Sequence, residues 1–208
     1  MVKFYPSETT KSAAAILMLI ILSFSQPSCK SSKTLMKQLP LTIEPRSSWN
    51  ALPAKQYTQQ IPVRITVHHE GTRLEMGDDV VKKINAIQRW GMGADKKWAD
   101  IPYHFLIAPD GTIFEGRNAF TVGETSTEYD PAGHLLICCL GNRETDPVPE
   151  AQLESLVKLI VYSSKKFNIP VDSLGTHKDH STQTTCPGKY LYQYFKDSSV
   201  YKRVKANM

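Results

Sequence analysis

"YHFLIAPDGTIFEGR", residues 103–117, places two extended apolar runs on either side of Asp110-Gly111. Asp-Gly between such runs is a strong short-range hairpin signal, because glycine reaches the positive φ that a tight turn requires. Two adjacent antiparallel strands are therefore expected here. Upstream, "VRITVHH" at 63–69 alternates β-branched and other residues between Pro62 and Gly71. That pattern predicts a strand ending in histidines. Downstream, "HLLICCLG" at 134–141 is apolar at successive positions, as a central strand covered on both faces would be.

Between these strands the period changes. Val80, Val81, Ile84, Ile87 and Trp90 recur at three- and four-residue intervals behind Asp78 and Asp79, which predicts a helix from about Asp79 to Trp90, closed by "GMG". After "NRETDPVP", the residues Leu153, Leu156, Val157, Ile160 and Val161 mark one face of a second helix ending near Phe167. "GKYLYQYF" at 188–195 reads as a last helix. The order of strand, helix, hairpin, strand, helix predicts an α/β fold: one domain with a central mixed β-sheet flanked by helices. A chain of 208 residues with 41% hydrophobic content can bury one sizeable core.

The N-terminus has a different character. A polar stretch with Lys3 and Lys11 precedes the unbroken apolar run "AAAILMLIILSF" from Ala13 to Phe24, and small residues lead on to Cys29. That is the layout of an export signal, and twelve apolar residues are short of the roughly 20 that span a bilayer. "SQPSC" resembles a bacterial lipoprotein box, which implies a signal peptide over residues 1–28 and a lipid on Cys29. The alternative is an ordinary cleaved signal with a stray cysteine. Residues 29–45 read as a polar tether, with the domain occupying 46–208. The expectation is an exported, periplasmic protein, a monomer held to a membrane only through its N-terminal lipid.

Loss of residues 1–28 removes Lys3, Lys11 and Glu8, so the formal charge falls from +5 to +4. A mildly basic surface suits an anionic polymer. It lacks the dense basic stripe with interleaved aromatics that nucleic-acid binding needs, and that class is set aside. Cys138 and Cys139 are neighbours on a strand and would point to opposite faces, so they are expected to be small buried residues rather than a disulfide.

Three stretches carry side chains able to do chemistry. In "VHHEG", strand alternation places His68 and Glu70 on one face and His69 on the other. A strand-terminal histidine alone is as consistent with a structural hydrogen bond as with catalysis. "THKDHSTQTTCPG" at 176–188 holds His177 and Cys186, both zinc-binding types, with His180 as a competing ligand. No Cys-x-x-Cys or His-x-x-x-His element completes a four-ligand structural site. Three protein ligands, which leave one position open, are what a catalytic zinc takes. The third stretch, "IPYHF", opens a strand with Tyr103 and His104 on opposite faces.

Together these pieces resemble the zinc-dependent N-acetylmuramoyl-L-alanine amidases that share their fold with peptidoglycan recognition proteins. The resemblance runs from about Arg46 to Phe195, on "RSSW", "ITVHHEG", "DIPYHFLIAPDGTIFEGR", "ICCLGN", "PVPEAQLESLVKLI" and "THKDHSTQTTCPG" in that order. It implies that His68, His177 and Cys186 hold Zn2+, that Tyr103 steadies the attacking water or the oxyanion, and that Thr184 is a second polar contact. It also implies a peptidoglycan or muropeptide substrate, cut between the lactyl group of N-acetylmuramic acid and L-alanine. Some relatives carry a glutamate on the strand that here reads "LICC", where Cys138 aligns. Glu70 is then the candidate to act as base in its place. "VGETSTEYDPAG" lacks a histidine that many relatives carry after Val-Gly. The rival readings are a non-catalytic peptidoglycan-binding module and an amidase that trims anhydro-muropeptides.

Overall fold

The sheet is built around β4 (His134–Cys139), the apolar stretch expected to be central, and all six of its residues are buried. The computed structural model describes residues 41–208 together with Met1 and Lys3. The expected signal segment, Cys29 and most of the tether lie outside the described residues. β4 pairs in parallel with β1 (Arg64–His69) on one side and β2 (Phe105–Ile107) on the other. β2 turns back antiparallel into β3 (Ile113–Glu115), and β5 (Leu174–Thr176) adds in parallel outside β1. The order β3-β2-β4-β1-β5 is thus a mixed sheet, with the predicted hairpin at one edge. In that hairpin Gly111 has φ +90 and its amide donates to Ala108 O at 3.0 Å, while Asp110 Oδ1 accepts from Thr112 N at 2.9 Å. The turn chemistry read from Asp-Gly is what closes it.

One sheet face carries Ile65, Val67, Phe105, Ile107, Leu135, Ile137 and Cys139. Three helices cover it: α2 (Glu150–Phe167), α3 (Lys189–Lys196) and α4 (Ser199–Lys205). They bring down Leu153, Leu156, Val157, Leu191, Phe195, Val200 and Val204. Gln152, fully buried on α2, donates to Ile107 O and Leu140 O and so ties that helix to the strand ends. The other face meets α1 (Val80–Met92), whose Ile84 and Ile87 pack with Trp49, Leu106, Cys138 and Leu140. Asp79 caps α1 by accepting from Lys82 N at 2.9 Å. No helix among the described residues is long and apolar enough to cross a membrane.

Several boundaries differ from the sequence reading, each for a local reason. α1 continues two residues past Trp90, through a Gly91 whose Cβ would sit 2.8 Å from the Trp98 ring. Glycine there admits close packing rather than ending the helix. Tyr103 and His104 precede β2 rather than open it, although His104 N still donates to Leu136 O. The domain also begins before Arg46. Glu44 exchanges backbone bonds of 2.8 Å with Ile113 and Glu115, and Leu41 and Ile43 pack on the core, so the last residues of the expected tether belong to the sheet edge. Two elements had no expectation: β5, only three residues long, and α4, which restarts after Ser198 in a left-handed conformation.

Candidate metal centre

Parallel register brings the candidate ligands together. Val67 pairs with Thr176, so the next residues, His68 and His177, leave adjacent strands side by side, with ring centroids 4.5 Å apart. Directly after β5 a single turn at His177–Asp179 is fixed by Asp179, whose Oδ2 accepts from both Thr176 N and Thr176 Oγ1 at 2.8 Å. The chain then loops back to Cys186. Its Sγ lies 3.6 Å from His68 Nδ1 and accepts from His69 N at 3.3 Å. One ligand atom from each of His68, His177 and Cys186 lies within 4.8 Å of the other two, and all three residues are buried.

The alternation expected in "VHHEG" is present. His68 shares its row with Cys138 and Leu106 on the α1 face, whereas His69 turns to the opposite face and its Nδ1 accepts from Arg143 N. His180, the competing ligand, stands outside the triad, against Tyr129 and His134.

The donor set fits zinc on chemical grounds. Burial, reinforced by His177 beside it, holds His68 well below the ordinary histidine range, and burial holds His177 at about 4. Both rings are therefore neutral near pH 7, each with a lone pair on one nitrogen. Burial pushes the Cys186 thiol up to about 12. A thiol so placed ionises readily only beside a cation, and two imidazoles with one thiolate form a three-ligand set that zinc accepts. Those residues would hold the ion.

A cleft of about 550 Å³ is lined by all three, by Glu70, Tyr103 and Thr184, and by Trp90 and Trp98. Tyr103 lies 5.4 Å from His68, ring to ring. Burial, the largest cause, raises its phenol well above the usual range, so it stays a protonated donor. Thr184 Oγ1 accepts from Cys186 N at 3.0 Å, which bends the chain into the ligand. The Glu70 carboxylate is already committed: it pairs with Lys83 at 3.0 Å and accepts from Thr72 N and Oγ1. His68, Glu70, Tyr103, His177, Thr184 and Cys186 thus line one cleft, and His180 does not.

Sequence reasoning missed the segment 125–129. Thr127 Oγ1 stands 2.7 Å from His177 Nε2, and Tyr129 Oη stands 3.4 Å from His68 Nε2. Nothing in "GETSTEYDPAG" distinguishes these residues from an ordinary polar loop.

Known proteins resemble this chain in both sequence and fold. A family model described as N-acetylmuramoyl-L-alanine amidase matches residues 58–189. A peptidoglycan-recognition protein of Drosophila simulans is 31% identical over 162 residues, covering 74% of this chain and 85% of that protein. Among solved structures, peptidoglycan recognition protein LE in complex with tracheal cytotoxin, a monomeric diaminopimelic acid-type peptidoglycan, superposes with a TM-score of 0.67 at 29% identity, covering 74% of this chain and 92% of that one. The N-acetylmuramoyl-L-alanine amidase LysC of Clostridium intestinale superposes with a TM-score of 0.62 at 28% identity, covering 77% and 97%. With the family model spanning well over half of its length, the chain belongs to the N-acetylmuramoyl-L-alanine amidase family and is homologous to the peptidoglycan recognition proteins.

Proposed function

We infer that the protein is a zinc-dependent amidase that hydrolyses the bond between the lactyl group of N-acetylmuramic acid and L-alanine in peptidoglycan. The observation that carries this reading is the convergence of His68, His177 and Cys186 at the floor of a cleft that also presents Tyr103. A protein that only bound wall fragments would have no need of a buried thiol facing two neutral imidazoles. Zinc, when bound, supplies Lewis acidity for the scissile carbonyl and lowers the pKa of water.

The chain's own groups do the rest. Hydrolysis breaks the carbonyl carbon to nitrogen bond; water gives its oxygen to the carbon and a proton to the leaving L-alanine nitrogen. Negative charge develops on the carbonyl oxygen as water adds. Tyr103 keeps its proton, so its Oη is a donor for that oxygen. The Thr184 hydroxyl accepts from Cys186 N, which leaves its own hydrogen free for the substrate. Trp90 and Trp98 add apolar surface to the lining of the cleft.

Glu70 is the remaining candidate for moving a proton. To act as base its carboxylate must be released from Lys83 and Thr72. The N-terminal sequence supports the further proposal of an exported monomer, tethered in the periplasm through a lipid on Cys29.

The test is to incubate the zinc-loaded protein and Cys186→Ala with purified sacculi and identify released products by mass spectrometry. Stem peptides with a free L-alanine amino group are expected from the wild type alone. Wild-type protein that binds sacculi and releases nothing would instead make this a peptidoglycan-binding module. Cleavage of anhydro-muropeptides but not sacculi would make it a trimming amidase.

A further inference from the structure

The segment between β3 and β4 touches both ligand-bearing elements. Thr127 Oγ1 is 2.7 Å from His177 Nε2, and Thr125 Oγ1 lies 2.9 Å beyond Thr127 Oγ1. The next residue faces the other way: the Glu128 carboxylate accepts from Ser181 Oγ at 2.6 Å and from Thr182 N at 3.0 Å, inside the loop that joins His177 to Cys186. Tyr129 then lays its ring 5.2 Å from His177. Three consecutive residues thus grip one ligand and the loop that carries the other.

A neutral imidazole has one N–H and one lone pair, and which nitrogen holds which is set by the partner of the other. A hydroxyl can take either part. At Thr127 the neighbouring Thr125 Oγ1 offers an acceptor for the Thr127 hydroxyl's own proton, which leaves its oxygen lone pairs for His177. We propose that Thr127 is a positioning residue for the metal ligand His177, its oxygen accepting the Nε2 proton so that Nδ1 presents the lone pair to zinc. Glu128 holds the ligand loop in register with that contact. Partners of this kind fix ring orientation and ligand basicity, and their loss typically weakens metal affinity about 10- to 100-fold.

This inference rests on the zinc reading above, and the experiment separates the two. Zinc affinity is measured by competition with a chromophoric chelator for the wild type, Thr127→Val and Thr127→Ser, beside the melting temperature of each metal-free protein. Thr127→Val, equal in shape but without a hydroxyl, is expected to bind zinc about 10- to 100-fold more weakly with an unchanged metal-free melting temperature, and Thr127→Ser to bind within a few-fold of the wild type. Equal affinity in wild type and Thr127→Val, or equal weakening in the valine and serine variants, would overturn the role of the hydroxyl. A wild type that binds no zinc would overturn the metal reading and this one with it. Should Thr127→Val fail to fold, Thr127→Ala against Thr127→Ser carries the same comparison.

Discussion

The sheet face beneath α2, α3 and α4 is apolar from Ile65 to Cys139, whereas the face beneath α1 is apolar only toward Leu106 and Leu140 and gives way to His68, Tyr103 and the loop bearing Cys186. Both faces belong to the same strands, and in β1 they alternate residue by residue: Val67 goes down into the core and His68 goes up into the cleft. One face stores stability and the other gives some up. Burying neutral histidines and a protonated thiol costs free energy that aliphatic side chains at the same positions would not. The continuous core on the far face offsets that cost and holds the strand ends rigid enough to aim three ligands at one point.

The comparison can be broken from either side. The largest effect is expected from His177→Ala, which removes a ligand while leaving the far face intact. It should abolish zinc binding and lower amidase activity by at least ~10³-fold, with little change in the melting temperature of the metal-free protein. A calorimetric scan beside a sacculus-release assay checks both halves. Leu156→Ala, in the middle of the α2 contact, should do the reverse. Loss of a fully buried leucine is expected to cost about 2–5 kcal/mol by urea denaturation, while the protein that remains folded keeps its zinc affinity. Tyr103→Phe keeps the ring and deletes the donor, so a fall in kcat of roughly 10²–10³-fold is expected with zinc affinity unchanged.

A pH titration of the metal-free protein sharpens the contrast further. His104 is held at about 3 and His134 at about 4, burial being the main cause in each. Both folded values lie below the unfolded 6.5, so the unfolded chain binds more protons between those limits. Stability should be flat between about pH 7 and 8 and fall as pH drops from roughly 6.5 toward 4. Stability that instead rose on acidification would contradict the neutral, buried state of these rings. The smallest effect is expected from Glu70→Gln. With the carboxylate already bound to Lys83 and Thr72, activity should fall by about 10-fold or less, whereas a loss of roughly 10²–10⁴-fold would establish Glu70 as the general base.

Much of this arrangement was legible in the sequence, and the part that was not has a physical cause. The alternation of β1, the unbroken apolar run of β4 and the period-3.6 patterns of α1 and α2 revealed those elements, and Asp110-Gly111 revealed the hairpin, because each signal extends over several neighbouring residues. β5 escaped notice because "LGT" is too short to show any period, yet its register with β1 is what brings His177 beside His68. The candidate ligand set was named from residue type and from the resemblance carried by the six motifs. Its outer partners were not. Thr127 and Tyr129 act through side-chain contacts across 50 and 61 residues of sequence, and such contacts leave no local pattern. Glu44 likewise joins β3 across a distance that no window along the chain would span.

His68, His177 and Cys186 form one buried cluster beside the cleft. The most direct test of that centre is to strip the protein of metal, add zinc in measured steps, and follow stem-peptide release from sacculi in wild type and Cys186→Ala. Activity that rises in proportion to zinc and levels off at one equivalent in the wild type, with none in Cys186→Ala, is the predicted result. Stem-peptide release that survives complete removal of metal, or that zinc restores equally in Cys186→Ala, would contradict it.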